Sequence, residues 1–352
     1  MRKAIDMEGY KPQPAVSVIV PVRNGEPTIE PLLESLQRLD YDRKKVEVIV
    51  VDGNSTDKTR DIVKKYPVKL VLEPKKGLNV ARNTGIKNSN GEIIAFTDCD
   101  CVVPSNWITK IVENFKDPQV SCVGGSAKGV CIDFVSEYAD NSIVPLMPSF
   151  KKREELNMVK PFLRHPVGCN MAFRRKVTEE VGYFDENIQY GFDEVEFTER
   201  VCRAGYKMVL DSNVFVWHKH RSTLKEFLKQ NFTYGRGSGV LLKSKRMKNV
   251  VSKWSFLSLL GLIAWMLIVG SLTFLTLTTS SSIFPLLLFG FTLMPLLILM
   301  TVYTYRALEN KRYMRAITYP FIDVFRAFSF CFGEVYQLFK KNTQPDDNIR
   351  HV

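Results

Sequence analysis

VEVIVVDGNSTD, residues 46–57, decides how the first part of this chain folds. A run of Val and Ile, interrupted only by Glu47, ends on a carboxylate at Asp52 and passes at once into Gly, Asn, Ser and Thr. β-Branched side chains are stiff and suit extended backbone. A run with so little polar alternation belongs to a strand covered on both faces, as in a parallel sheet. The same pattern recurs on either side. Residues 16–20 (VSVIV) run up to Pro21, Lys69–Leu72 (KLVL) is a third short strand, and residues 92–97 (EIIAFT) are a fourth that ends at Asp98. Between them lie amphipathic stretches. Residues 28–39 place Ile29, Leu32, Leu33, Leu36 and Leu39 at helical spacing, residues 55–59 open a second helix with side-chain oxygens to cap it, and Leu78–Lys87 is a third. Strand–helix alternation builds an α/β layer with right-handed crossovers, and such sheets bind ligands beyond the carboxyl ends of their strands. Asp52 and Asp98 both stand there.

Beyond residue 120 the pattern loosens. Two short strands, residues 171–173 and 214–217, flank an acidic helix that begins near Asp193. Charged residues make up 24% of the 352, an average share that excludes a disordered or collagen-like chain. Yet no carboxylate lies between Glu226 and Glu309, and no charge at all from Trp254 to Tyr305. Residues 255–277 and 283–305 each approach the ~20 apolar residues that cross a bilayer, so the chain reads as a membrane protein with a soluble head. Lysine and arginine outnumber the acids by 49 to 37, a net charge of +12, and Lys243, Lys245, Arg246, Lys248 and Lys253 crowd the start of the apolar stretch. With an uncharged turn at 278–282 and basic flanks, the positive-inside rule makes this a multi-pass hairpin of the cell membrane with the head in the cytoplasm. The same cations point to membrane phosphates and not to nucleic acid, since no nucleic-acid-binding module accompanies them.

Residues 317–339 are apolar but hold Asp323, Arg326 and Glu334. Each costs about 2.5–3.5 kcal/mol at a bilayer centre, which favours an interfacial or re-entrant helix over a third span. Seven scattered cysteines suggest no disulfide framework, and residues 1–16 lack the apolar core of a signal peptide. The expected organisation is an extension (1–14), an α/β head (15–240), a basic juxtamembrane segment (241–254), a two-helix hairpin (255–305), a basic loop with an interfacial or third membrane helix (306–339) and a polar tail (340–352).

Asp98-Cys99-Asp100 is the sharpest local signal. Two carboxylates bracketing one residue just after a buried strand can converge on one divalent cation, and hard oxygen donors favour Mg²⁺ or Mn²⁺. Taken together, VSVIVPVRN (16–24), VEVIVVDGNSTD (46–57), GLNVARNTG (77–85), IIAFTDCD (93–100), GCNMAFRR (168–175) and GFDEVEFTERVCRAGY (191–206) resemble the family 2 glycosyltransferases, in the family's order. The resemblance covers residues 15–220. It implies a GT-A fold with a mostly parallel, Rossmann-like sheet, a nucleotide-diphospho-sugar donor, Mg²⁺ or Mn²⁺, and inversion at the anomeric carbon.

By the same resemblance, Pro21, Val22, Arg23 and Asn24 frame the nucleotide and Asp52 contacts its base or ribose. Gly53 stands where the family usually has a second acid. Arg82 and Asn83 lie beside the nucleotide, Asp98 approaches the ribose and metal, and Asp100 is the direct metal ligand, with His218 near metal and diphosphate. Gly168 and Asn170 underlie sugar and acceptor. Arg236 falls where processive members carry a Q-x-x-R-W motif, which is absent here, and it is placed toward the acceptor. The family's catalytic base sits in a Glu-Asp pair six residues before an Arg. Here the Arg is Arg200 and the pair reads Asp193-Glu194, in reversed order. Counting from Arg200 favours Glu194 and leaves Asp193 as the alternative, while Glu196 and Glu199 read as charges on the helix surface or in its first turn.

The leading expectation is an inverting transfer of a sugar to a membrane lipid-linked acceptor in glycan or glycolipid assembly. A polyprenyl-phosphate sugar synthase, in which the lipid phosphate itself attacks, is the second. A scaffold that kept the fold without the chemistry is the third, disfavoured by the intact Asp52, Asp98 and Asp100.

Overall fold

The computed structural model describes residues 13–130, 133–161, 164–188, 190–243, 250–310 and 313–340. Most of the expected N-terminal extension and polar tail, and the densest part of the basic run at 244–249, lie outside the described residues.

The chain forms two compact units. The first holds the residues up to Asp140 and Pro145–Ser222; Asn141–Val144 and Thr223–Phe339 form the second. The division falls at Ser222 and not at residue 240, because the helix that follows packs with the apolar helices.

In the first unit the order is β1 (Val16–Val22), α1 (Ile29–Gln37), β2 (Val46–Asp52), α2 (Thr59–Val63), β3 (Lys69–Leu72), α3 (Leu78–Lys87), β4 (Ile93–Phe96), β5 (Cys101–Val102) and α4 (Trp107–Asn114). Then come β6 (Val120–Gly129), α5 (Phe134–Asn141), β7 (Glu154–Leu156), β8 (Met171–Arg174), α6 (Lys176–Val181), α7 (Asp193–Arg203) and β9 (Lys207–His218). The strands make one sheet in the order β3-β2-β1-β4-β8-β6-β9-β5, with β7 on β9. β1 to β4 are mutually parallel, β8 runs against β4 and β6, and β9 is again parallel to β6. The core is the double-sided packing expected of such strands: all seven residues of β1 and all four of β4 are buried, with Ile29, Leu32, Leu33 and Leu36 of α1 laid against them.

Three sequence expectations change. β1 does not stop at Pro21 but runs through it to Val22. Its pairing with β4 ends at Ile19 opposite Phe96, so the proline nitrogen, which faces that side, removes no ladder hydrogen bond. β9 spans twelve residues where only 214–217 was legible. Its centre, Asp211-Ser-Asn213, is polar because the register against β6 shifts there, from Asp211 opposite Gly125 to Phe215 opposite Ser126. Asp211 is buried and accepts from the Asn114 amide (2.8 Å) and its own Asn213 N–H (2.9 Å). Finally, Ser55 does not cap α2. It accepts from Asn24 N–H (2.9 Å), and the oxygen at the head of α2 is Asp57, bonded to Thr59 N–H at 3.0 Å.

The second unit contains α8 (Leu224–Lys243), α9 (Val250–Thr278), α10 (Ile283–Asn310) and α11 (Met314–Phe339). α9 and α10 carry apolar stretches of 26 and 27 residues, long enough to cross a membrane. α11 is one unbroken helix of 26 residues, and it lies along α8. Gly235 on α8 and Gly333 on α11 allow this, since a Cβ at either would collide with a carbonyl of the other helix, Phe330 or Phe232. The three charges of α11 that fall in residues 317–339 find partners within the unit. Asp323 accepts from the Tyr303 hydroxyl (2.6 Å), Arg326 donates to Asn231 (2.9 Å), and Glu334 accepts from Ser238 (2.7 Å) and Ser255 (2.9 Å).

Candidate active site

Strand ends bring the acids together. Asp98 and Asp100 sit in the turn between β4 and β5, and β5 pairs with the end of β9 so that Cys101 lies opposite His218. His218 Nε2 is 3.5 Å from Asp100 Oδ1. Asp100, Cys101 and His218 present donor atoms within 4.8 Å of one another. The Asp98 carboxyl is pushed up to about 7, by burial first and by the Asp100 charge second, with Arg82 and Arg221 opposing. His218 is buried and shifted down by that burial, so it is the neutral imidazole a cation requires. The Cys101 thiol is pushed well up by burial and remains protonated, which leaves one carboxylate and one neutral imidazole as donors. The donor set fits a divalent cation.

The acid pair at the start of α7 is reached from the other side. Arg82, from α3, is 2% exposed and forms a buried ion pair with Asp193, while its Nη2 lies 3.3 Å from Glu194 Oε1. Phe96 and Phe184 lie against its guanidinium at 5.9 and 5.4 Å. Glu194 Oε1 also accepts the Gly168 N–H at 3.0 Å. A side chain at Gly168 would run into the Arg82 guanidinium and lie 2.9 Å from Glu194 Oε1, so this close approach requires glycine. The two acids are therefore not equivalent. Asp193 is 2% exposed and locked in its pair, whereas the Glu194 side chain keeps 17% of its surface open.

Four expected residues have other partners. Arg82 is committed to the acid pair, a link that reading the motifs one at a time did not show. Asn170 is 1% exposed, with Nδ2 donated to Ser126 C=O (2.8 Å) and Oδ1 accepting from the Trp107 indole (2.9 Å). It knits β6 to α4, and what this turn offers the site is the Gly168 N–H. Glu196 is a first-turn charge of α7, buried as the bidentate partner of Arg200 (2.6 and 2.7 Å), which in turn donates to the Tyr183 carbonyl (2.8 Å). Arg236 belongs to the second unit, where it donates to Gln337 at 3.3 Å and lies over the Tyr336 ring.

At the ends of β1 and β2 the expectations meet their geometry. Asn24, at φ 52°, accepts from Thr56 N–H (2.9 Å) and ties the two loops together. Pro21 and Val22 are buried under them. Asp52 is 1% exposed; its Oδ2 accepts from Ser55 N–H (3.0 Å), and its Oδ1 is buried without a partner among the described residues. Arg23 Nη1 is likewise buried and unpartnered. Arg221, just past β9, carries a charge that acts on both Asp98 and His218.

Comparison with known proteins now decides the family. Residues 17–182 match the family described as Glycosyl transferase family 2. A relative named Glycosyltransferase AglE, from Haloferax volcanii, is 31% identical over 233 residues, which is 64% of this chain and 73% of that one. The chain is a family 2 glycosyltransferase. The Methanococcus voltae enzyme named dolichyl N-acetyl-α-D-glucosaminyl phosphate 3-β-D-2,3-diacetamido-2,3-dideoxy-β-D-glucuronosyltransferase is 25% identical over 240 residues, 65% of this chain and 74% of its own. Among solved structures, the mannosyltransferase PcManGT from Pyrobaculum calidifontis, in complex with GDP-Man and Mn²⁺, superimposes with a TM-score of 0.62 at 20% identity, covering 95% of this chain and 91% of the other. The fold of this glycosyltransferase is thus GT-A, as the motif order implied, followed by two helices long and apolar enough for a membrane.

Proposed function

We propose that this glycosyltransferase moves a sugar, with inversion, from a nucleotide-diphospho-sugar to a lipid-linked acceptor at the cytoplasmic face of the membrane. The observation that carries the reading is the division of labour between the two acids of α7. Asp193 is neutralised by buried Arg82, and Glu194 is aimed by the Gly168 N–H with part of its surface open. A carboxylate so placed takes the proton from an attacking hydroxyl. The hydroxyl oxygen then bonds to the anomeric carbon, the bond from that carbon to phosphate breaks, and its electron pair leaves on the nucleoside diphosphate. Asp98, Asp100 and His218 are the residues that would hold the divalent cation, which supplies charge neutralisation to the leaving diphosphate. Arg221 adds a fixed positive charge on the same side. The Methanococcus voltae relative, whose printed name makes it a dolichyl-phosphate-linked sugar transferase, supports the acceptor class.

The test is direct. Purified full-length protein in lipid nanodiscs, given labelled nucleotide-sugars and a membrane lipid extract with Mn²⁺, should yield a glycolipid one sugar heavier by mass spectrometry. EDTA should abolish its formation. Transfer only to water-soluble acceptors would defeat the lipid assignment. Orientation has its own measurement. After replacement of the native cysteines, Ser280→Cys should react with an impermeant thiol reagent on intact cells and Lys248→Cys should not. The reverse pattern would put the head outside.

A further inference from the structure

The turn after β9 carries a second histidine with a built environment of its own. His218 ends β9, and its Nε2 is the nitrogen turned to Asp100, at 3.5 Å. Two residues on, His220 is buried with its ring against that of His218, the centroids 5.0 Å apart and the planes tilted by 53°. His220 Nε2 lies 2.7 Å from Asp140 Oδ1. Asp140 stands in the last turn of α5, where the helix dipole disfavours a carboxylate, so its position calls for a partner. Gly129, at the end of β6 and in register with His218, lets these segments meet. A Cβ on it would collide with the Asp140 carboxylate and with His220 Nε2. Main-chain hydrogen bonds fix the turn on both sides, from Val130 N–H to His218 C=O and from Lys219 N–H to Asp100 C=O, each 3.0 Å.

Counting protons shows what the pair of rings can do. A neutral imidazole has one N–H and one lone pair. On His218 the lone pair belongs to Nε2, the atom beside Asp100 that a cation would meet, so Nδ1 carries the proton. On His220 the assignment is reversed. Its Nε2 faces a carboxylate and donates to it, which leaves Nδ1 as the acceptor. Both Nδ1 atoms are buried without a partner among the described residues. The two remaining nitrogens are therefore one donor and one acceptor on neighbouring rings, the combination that a single buried water can join.

We propose that Asp140 and His220 are positioning residues for the cation: across a bridging water they hold His218 in the tautomer and ring orientation that turn its Nε2 lone pair toward Asp100. The assignment rests on the cation reading above and deepens it. A histidine that ligates a metal almost always gives its second N–H to a carboxylate, a carbonyl or water, and that bond fixes the ring and raises its basicity. His218 has no carboxylate or carbonyl for this among the described residues. His220 supplies the acceptor instead, and Asp140 decides which nitrogen of His220 is free to accept. With a neutral residue in place of His220 lacking both nitrogens, the His218 N–H loses its partner and the ring loses its orientation.

Titration of the full-length protein in detergent with Mn²⁺, followed by the EPR signal of the free ion, tests this. His220→Phe keeps a ring and removes both nitrogens. It should bind Mn²⁺ roughly 10–100-fold more weakly, the usual loss for an outer partner of a metal ligand. Pulsed EPR of the bound ion should show coupling to an imidazole nitrogen in the unaltered protein, and this coupling should weaken in the variant. Asp140→Asn should shift the affinity in the same direction by about tenfold. Its melting temperature in EDTA should stay close to that of the unaltered protein, because the Asp140 side chain is 23% exposed. His220→Gln, whose amide offers one donor and one acceptor site, should recover part of the affinity lost in His220→Phe. Unchanged affinity and coupling in His220→Phe, or in Asp140→Asn should the first variant not fold, overturn the positioning role and leave the cation site in place. An unaltered protein that binds no Mn²⁺ overturns the cation site itself.

Discussion

Asp100→Ala should lower sugar transfer by roughly 10³-fold or more while leaving the first unit folded. The magnitude follows from the several kcal/mol that a cation contributes to a departing diphosphate, at 1.36 kcal/mol per tenfold in rate. The retained fold follows from where the residue sits. Asp100 takes part in the structure through its carbonyl, which accepts Lys219 N–H at 3.0 Å, and the substitution leaves that bond intact. Its carboxylate instead opposes Asp98, whose pKa of about 7 records the repulsion together with burial. Removing one of two crowded acids relieves the other, so thermal stability should be equal or slightly higher. Nucleotide binding should lose its dependence on Mn²⁺ in the same variant. Substantial activity that remains sensitive to EDTA would remove Asp100 from the cation site.

The residues at strand ends were legible because a parallel sheet exposes little else there. Unbroken apolar runs gave the four parallel strands nearly to the residue, and the acids that close β2 and β4 followed from the strands themselves. What was not legible depends on approach between distant segments. β6 reads VSCVGGSAKG, which has the composition of a loop. Gly125 is needed there because a side chain would collide with the Asn170 amide and the Val214 carbonyl. Asn170 was placed under sugar and acceptor by the resemblance alone, and its amide is taken up by the Ser126 carbonyl and the Trp107 indole from distant segments. The Arg82–Asp193 pair joins residues 111 positions apart, and no local pattern announces such a contact. The charges of α11 were weighed against a bilayer, whereas their partners come from α8, α9 and α10.

That distant pair yields the sharpest contrast between variants. Glu194→Gln should lower kcat by roughly 10²–10⁴-fold, the range for loss of a general base, with nearly unchanged affinity for the nucleotide. Glutamine keeps the length of the side chain and can still accept the Gly168 N–H, so the melting temperature should hold. Asp193→Asn should behave differently. It removes the closer of the two counter-charges of Arg82, which is 2% exposed, and leaves Glu194 at 3.3 Å; breaking a buried pair from one side costs at most about 3–5 kcal/mol. Its principal effect should be a melting temperature lower by several degrees, with lost activity tracking lost folded protein. Charge reversal of the pair, Arg82→Asp with Asp193→Arg, is no clean rescue, since Arg82 also pairs with Glu194 and lies against Phe96 and Phe184. The decisive comparison is therefore kcat per folded molecule at low temperature. If Asp193→Asn shows the large chemical loss and Glu194→Gln does not, the base is Asp193 and the ion pair with Arg82 must open during turnover. If neither variant slows the chemistry, no base is being used, and the attacking group is an anion already, as a lipid phosphate would be.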